Sequence, residues 1–493
     1  MHWLTAKNAL LLALLLLSPS CSRLRPPPSA LDRLKPCTSA EGPTDAYCGK
    51  VEVWEDRTAR TGRKLALKVI VLPGLRREPA PDPIVYFAGG PGAGAAKMAR
   101  MIREPFRSLQ TDRDIVLVDQ RGTGDSNPLT CKFDDDKLDQ DTDADVEKLR
   151  ACLAKYPEKT DVRNYTTSIA MDGLDDVRQF LGYSKIDLYG GSYGTRAAIA
   201  YTRQHPDHVR AVILDSVAPT DMRIPLYMAR DGQRALDLLI RDCDRDPACR
   251  KRFPDLGARL TRLLARLSAQ PERVHLIHPR TGAEVDINVK RLTISNILFA
   301  SLYSPQATAL LPLLIERAEK GDFQGFLALG SPGAALADNM ALGMQFSVLC
   351  SEDAPRIEAG SIARETTGTF MGTEMADWRM KICGFWPRGQ VDPGYYDYPQ
   401  SDIPALILSG DLDPVTPPTW GQQVASHWKN ARHIVVPGTG HGAIASGCVM
   451  KLAREFVNKA NAAGLNVDCV QRVRRPPFFL GPSGPDPQGA VQQ

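Results

Sequence analysis

The stretch Ile186-Asp187-Leu188-Tyr189-Gly190-Gly191-Ser192-Tyr193-Gly194-Thr195 runs from an apolar strand-forming segment through G-x-S-x-G into an Ala-rich, helix-forming one. Strand, sharp turn and helix in that order are the setting of a nucleophile elbow, which presents a serine hydroxyl at the carboxyl end of the strand. Gly190 and Gly194 lack the Cβ atoms that would collide where the chain reverses. A serine hydroxyl at its ordinary pKa is a poor nucleophile, so Ser192 requires a base and an acid to orient that base. In elbow-bearing sheets these follow in the order Ser, then Asp or Glu, then His. The apolar run 405–408 leads into Ser409-Gly410-Asp411-Leu412-Asp413-Pro414-Val415-Thr416-Pro417, a loop with two carboxylates. Asp413 is the expected acid and Asp411 its competitor. The run 434–436 leads into Pro437-Gly438-Thr439-Gly440-His441-Gly442. Of eight histidines, His441 alone lies just past a strand in the required order, since His433 precedes its strand and the others fall in the N-terminal segment, after a helix or in the insertion. It is the expected base.

A tetrahedral intermediate needs two donors for its oxyanion, normally the N–H after the nucleophile and one from an earlier loop. Tyr193 supplies the first. Phe87-Ala88-Gly89-Gly90-Pro91-Gly92 follows the run 84–87, and its glycines allow close backbone approach. Gly90 is the expected second donor, with Gly89 nearly equivalent.

Short β-branched runs recur at 65–72, 84–87, 115–118, 186–189, 212–214, 405–408 and 434–436, each followed by turn residues, and read as buried parallel strands. Helical spacing lies between them, as in Ala170, Leu174, Val177 and Leu181. Alternation of the two predicts an α/β sheet with crossovers. From Met222 to Gln400 the pattern changes to amphipathic helices at 235–241, 256–267, 294–302 and 307–318, so a mostly helical insertion divides the sheet into a first part, 22–221, and a second, 401–471. The segment 472–493, with five prolines and several glycines, is expected to be a flexible tail.

Residues 1–20 have the layout of a secretory signal: Lys7, an apolar run 9–17, then Ser18-Pro19-Ser20 before Cys21. The run is too short for a permanent membrane span. Cys21 resembles a bacterial lipidation site, although Ser18 stands where Leu is usual, and ordinary cleavage nearby is the alternative. Export to the periplasm, to the outer membrane as a lipoprotein, or to the medium follows. Setting Cys21 aside leaves ten of the eleven cysteines, an even set of the kind that forms disulfides in exported chains. Sequence neighbours pair as 37 with 48, 131 with 152, 243 with 249, 350 with 383, and 448 with 469, although ten cysteines allow many other pairings. No Cys/His spacing suits zinc. Over 493 residues, 61 Lys plus Arg against 57 Asp plus Glu give a net charge of +4, which offers no basic face for nucleic acid. No cofactor is implied.

Gly89-Gly-Pro-Gly92, Asp119-Gln-Arg-Gly-Thr-Gly124, Gly190-Gly-Ser-Tyr-Gly194, Asp413-Pro-Val-Thr-Pro417 and Gly440-His-Gly442 together resemble the prolyl iminopeptidase and tripeptidyl aminopeptidase family of α/β-hydrolases. The resemblance extends over roughly 51–469. It implies an α/β-hydrolase fold, with a mostly parallel central sheet, an inserted helical cap at 222–400 and a TAP-like region in the second part of the core. It also implies release of residues from a free peptide N-terminus, with peptides as partners and substrates. Ala88 stands where prolyl iminopeptidases usually carry His, which moves the likeness toward the larger exported members. Exopeptidase action needs an anion for the substrate's ammonium group, and Glu352 and Asp353 are the candidates. Asp119 and Arg121 are expected to form an internal ion pair that supports the oxyanion loop. The rival readings are an esterase or lipase with the same triad, and a surface binding protein without turnover.

Overall fold

The computed structural model describes residues 30–37, 45–131, 142–156, 160–337 and 340–485. The expected signal segment and Cys21 lie outside the described residues. Nine strands form the central sheet: β1 (Lys35–Cys37), β2 (Ala46–Trp54), β3 (Lys64–Leu72), β4 (Ile84–Phe87), β5 (Ile115–Val118), β6 (Ile186–Gly191), β7 (Val209–Asp215), β10 (Ala405–Gly410) and β11 (Ala431–Val436). Between them in sequence, β8 (Glu272–Ile277) and β9 (Glu284–Val289) make a separate antiparallel pair.

The order across the sheet is β1-β2-β3-β5-β4-β6-β7-β10-β11, and the six strands from β5 to β11 in that order are parallel. Every run read from the sequence is a strand of this sheet. One differs in direction: β3 was expected to be parallel, but it pairs antiparallel with both β2 and β5. Successive residues of a strand face opposite sides. Val85, Phe87, Val116 and Val118 therefore join the core under the helices Thr167–Leu181 and Tyr193–Gln204. Their neighbours Ile84, Tyr86, Ile115 and Leu117 join the core under Ala99–Gln110 and Val449–Lys459. Both faces are covered, which is why these strands read as continuous apolar runs.

The insertion builds its own core from the helices Met228–Arg245, Leu256–Ala269 and Arg291–Ser301 and their neighbours, with Leu260, Leu298, Ile315 and Phe326 inside. Part of its last third packs elsewhere. Ala341, Met344, Val348 and Tyr395 pack into the sheet's own core, and Ala341 N–H bonds to the Gly92 carbonyl. The segment expected to be a flexible tail also differs from expectation as far as residue 485. Phe478 is buried in the cap core, Arg475 pairs with Asp242 at 2.7 Å, and Phe479 N–H bonds to the Ala309 carbonyl. One aromatic side chain and one salt bridge anchor a segment whose composition alone suggested disorder. All five neighbour disulfides are present: Cys37–Cys48, Cys131–Cys152, Cys243–Cys249, Cys350–Cys383 and Cys448–Cys469. Among the described residues no helix is long and apolar enough to cross a membrane.

Candidate active site

Parallel strands end on a common edge, so the loops after β4, β6, β7, β10 and β11 gather at one rim. Ser192 sits directly after β6 with φ 57° and ψ −127°, a left-handed backbone that costs a non-glycine residue about 1–3 kcal/mol. The turn is tight. A Cβ on Gly190 would stand 2.3 Å from the Gly194 carbonyl oxygen, and one on Gly194 would stand 2.2 Å from that of Phe87. These contacts are the physical reason for both glycines of G-x-S-x-G.

Asp413 and His441 meet. His441 Nδ1 lies 2.8 Å from Asp413 Oδ2. The carboxylate, fully buried, also accepts the N–H groups of Val415 and Thr416, each at 2.9 Å, and the Thr416 hydroxyl at 2.8 Å. Burial alone would raise its pKa, but His441 and these donors outweigh burial and hold the carboxyl at about 2. Burial lowers the imidazole, Asp413 raises it more, and the net shift is upward. The competitor Asp411 instead receives the Thr439 N–H at 3.3 Å.

One residue that sequence reasoning passed over ties the serine loop to the histidine loop. The carbonyl of Asp215, at the end of β7, accepts the Ser192 N–H at 2.9 Å. Its carboxylate accepts Ala443 N–H at 2.7 Å, Ile444 N–H at 3.2 Å and the Tyr189 hydroxyl at 3.0 Å. Next to it, Ser216 Oγ accepts the Gly442 N–H at 2.8 Å. Ser192 and the segment around His441 are thus fastened to the same dipeptide. Its signal was available in the sequence as an acid directly after the run 212–214. Among the described residues the Ser192 hydroxyl makes no hydrogen bond to His441. Tyr303, also passed over, lies edge-on to the His441 ring at 4.9 Å, and its carbonyl accepts the His441 N–H at 2.9 Å.

The two expected oxyanion donors flank the serine differently. Tyr193 opens the helix Tyr193–Gln204, so its N–H is among those a helix start leaves without an intrahelical partner. Gly89 comes closest to the serine, since a Cβ there would meet Ser192 Cβ at 3.1 Å. Gly90 is turned toward the cap, and a Cβ there would meet Met340 Cε at 2.8 Å.

Glu352 and Asp353, expected to hold a substrate's ammonium group, are buried and committed internally. Asp353 makes a two-pronged pair with Arg196 at 3.0 and 3.1 Å. Glu352 accepts Thr167 N–H at 2.6 Å, the Thr167 hydroxyl at 3.0 Å and the Tyr395 hydroxyl at 2.6 Å. Thr167 in turn bonds to the Tyr193 hydroxyl at 2.7 Å. The acids therefore balance a cation on the elbow helix and brace the residue after the nucleophile. The expected ion pair of Asp119 and Arg121 is also corrected: each is structural, but they serve different partners. Asp119 accepts Ala96 N–H at 2.7 Å and Asp125 N–H at 2.9 Å, and burial raises its carboxyl to about 6. Arg121 donates to the carbonyls of Glu55, Asn164 and Trp54.

Asp175, His205 and His208 bring possible metal-ligand atoms within 4.8 Å of one another. The Asp175 oxygen concerned already accepts Arg178 and Tyr201 at 2.7 Å each and lies 2.8 Å from His208, so the cluster is a satisfied hydrogen-bond network. A cleft of about 380 Å³ opens beside His441, between Tyr303–Gln306 on the cap side and Val473–Pro476 of the C-terminal segment.

The family model described as alpha/beta hydrolase fold matches residues 82–275, and that described as TAP-like protein matches 368–469. The chain is 25% identical over 457 residues to serine protease Hip1 of Mycobacterium bovis, covering 84% of this chain and 85% of that protein. It is 31% identical over 137 residues to proline iminopeptidase of Neisseria gonorrhoeae, covering 27% and 32% respectively. A tripeptidyl aminopeptidase of Streptomyces lividans is 31% identical over 193 residues, 36% of each chain.

Proposed function

Starting from a chain with the α/β-hydrolase fold and a TAP-like C-terminal region, whose relatives are serine peptidases, we propose that it is an exported serine exopeptidase. It releases residues or short peptides from free peptide N-termini through an acyl-enzyme. Ser192 Oγ attacks the scissile carbonyl while His441 takes its proton, and His441 then delivers that proton to the departing amine. Asp413 fixes the imidazole tautomer and stabilises the imidazolium. Water, activated by the same imidazole, then cleaves the acyl ester and restores the hydroxyl. The N–H groups of Tyr193 and of Gly89 or Gly90 receive the oxyanion.

The observation that carries the proposal is the 2.8 Å contact between His441 and a buried, ionised Asp413, in a loop fastened through Asp215 and Ser216 to the strained serine. Peptide substrates follow from the names of the relatives. Export is supported by five disulfides, which persist in oxidising compartments. The leader at 1–20 supplies the route, and a lipid on Cys21 would supply a point of membrane attachment. Digestion of a peptide mixture with free and with acetylated N-termini, read by mass spectrometry, tests the exopeptidase mode. Free peptides should shorten from the N-terminus, and equal cleavage of the acetylated set would rule that mode out.

One observation favours a second reading. Because Glu352 and Asp353 are committed to Thr167 and Arg196, neither is free to demand a substrate amine. An ester hydrolase with the same triad has no such need. Faster turnover of simple acyl esters than of any free-amine peptide would select it.

A further inference from the structure

The main-chain bonds that fasten the histidine loop to the core fall on the neighbours of His441. Leu412 N–H bonds to the Thr439 carbonyl at 2.9 Å, Thr439 N–H to Asp411 at 3.3 Å and Gly442 N–H to Ser216 Oγ at 2.8 Å. The main-chain N–H of His441 goes instead to the inserted cap, where the Tyr303 carbonyl accepts it at 2.9 Å. The same carbonyl leaves no room beside Gly440, since a Cβ there would stand 2.2 Å from its oxygen. The Tyr303 ring completes the contact: it lies 4.9 Å from the imidazole, with the two planes at 65°.

Tyr303 is itself fixed. It follows the cap helix Arg291–Ser301, and the turn spends its N–H on the Ala300 carbonyl at 3.3 Å, while Ser304 N–H bonds to that of Ser301 at 3.2 Å. Phe299 meets the Tyr303 ring edge-on at 5.8 Å. The cap is tied in turn to the C-terminal segment by Arg475, which reaches Asp242 at 2.7 Å and Thr308 at 3.1 Å. The backbone of that segment abuts the histidine loop from another side, since a Cβ on Gly438 would meet the Arg475 nitrogen at 2.3 Å. Asp413 and Thr416 reach the imidazole only at Nδ1, about which it can still pivot. A rigid ring against its flank removes that pivot and sets where Nε2 points.

We propose that Tyr303 is a positioning residue for the catalytic base: the cap supplies the seat that keeps the His441 imidazole turned toward Ser192, and the base is set for work only while the cap stands against the histidine loop. This rests on the reading of Ser192, His441 and Asp413 as a hydrolytic triad, and it gives the insertion a part in catalysis that does not depend on which substrate is cut. The contact runs through the ring and the main-chain carbonyl, so the phenol hydroxyl is dispensable to it. The ionisable groups around the imidazole are Asp413, Asp215 and the Tyr303 phenol, and of these Asp413 is the one bonded to it.

The test uses the full mature protein, with rates counted per site titrated by a fluorophosphonate so that unfolded protein drops out. Tyr303→Leu, which removes the ring, should lower kcat/KM by about 10- to 100-fold, the cost of a catalytic group displaced by about an ångström. The loss should be of similar size for a nitrophenyl ester and for a free-amine peptide, since the base serves both, and the rate of labelling should fall with it. The midpoint of the pH–rate profile should also fall, because an imidazole slack against Asp413 loses part of the charge that keeps it protonated. Tyr303→Phe keeps the ring and the carbonyl, and should stay within about 3-fold of wild type with its midpoint in place. Gly440→Ala pushes the Tyr303 carbonyl away and leaves all three triad side chains unaltered; it should reproduce the fall in rate and in midpoint. Wild-type rates in Tyr303→Leu, a Tyr303→Phe variant as slow as Tyr303→Leu, a loss confined to one substrate class, or an unmoved midpoint in Tyr303→Leu and Gly440→Ala would overturn the assignment while leaving the triad standing. Folded wild-type protein that neither labels nor turns over refutes the hydrolase reading and this proposal with it.

Discussion

Replacing Asp215 should loosen the join between the serine and histidine loops, and the structure sets the scale. Three buried donors, the N–H groups of Ala443 and Ile444 and the Tyr189 hydroxyl, converge on its carboxylate. Asp215→Ala leaves all three without an acceptor. At about 1–3 kcal/mol for each orphaned group, with partial relaxation, the expected loss of stability is about 3–5 kcal/mol. Asp215→Asn keeps one oxygen and should lose only about 1–2 kcal/mol. The two variants also differ from the wild type in pH response. Burial raises the Asp215 carboxyl to about 6 from 3.8, so the folded state resists the ionisation that the unfolded state undergoes earlier. This group's contribution therefore falls as pH rises from about 4 to 6, by up to about 3 kcal/mol, so the gap between wild type and Asp215→Ala should narrow over that range and that between wild type and Asp215→Asn should close or reverse. Urea denaturation with disulfides intact, at pH 4.5 and pH 7, measures both quantities. The rate of fluorophosphonate labelling should fall for Asp215→Ala more than for Asp215→Asn, because the histidine loop loses its anchor. An alanine variant within about 1 kcal/mol of wild type at pH 4.5, or a gap that widens with pH, would refute the reasoning.

Asp413→Asn should lower kcat/KM by about 10⁴-fold, because the imidazole loses its tautomer and its counter-charge. Wild-type activity should rise with pH through a midpoint above 6.5, since His441 is shifted upward and must be neutral to act as a base. The Asn variant should show a lower midpoint in the same pH–rate profile. The stability that Asp413 contributes, with its carboxyl lowered to about 2 from 3.8, should be present above pH 4 and be lost as pH falls toward 2, measurable by acid titration of the fold. Asp353→Ala should destabilise the fold by up to about 3–5 kcal/mol, because it leaves buried Arg196 with only the longer 3.6 Å contact to Glu352 as counter-charge; a stable variant with only a raised KM for free-amine peptides would restore Asp353 to substrate binding. Of the disulfides, Cys350–Cys383 spans 33 residues and Cys243–Cys249 only six. Replacing both cysteines by alanine should therefore cost about 3–4 kcal/mol for the first and about 2 for the second, compared by chemical denaturation.

The triad loops were legible because each has a local signature. A fully buried strand reads as an unbroken apolar run, and a glycine-flanked serine, histidine or acid directly after it marks the rim. β4 and β5 match their predicted runs to the residue for this reason. β2 was not visible, because Ala46–Trp54 mixes Gly49, Lys50 and Glu52 into a strand buried mainly on alternate positions. The β8–β9 hairpin was hidden similarly, with only Leu276, Ile287 and Val289 buried among charged neighbours. Long-range pairing was out of reach. Nothing near Glu352-Asp353 in the chain announces Arg196, 157 positions before Asp353. Composition misled at the C-terminus, where Arg475 and Phe478 dock a segment rich in proline.

The most direct measurement is covalent modification of the mature protein by a fluorophosphonate, with the modified residue located by mass spectrometry and the same assay run on Ser192→Ala. Stoichiometric attachment at Ser192, with turnover abolished in the variant by at least about 10⁴-fold, is the predicted result. A folded protein that takes up no label, or a variant that hydrolyses substrates at the wild-type rate, would contradict the account.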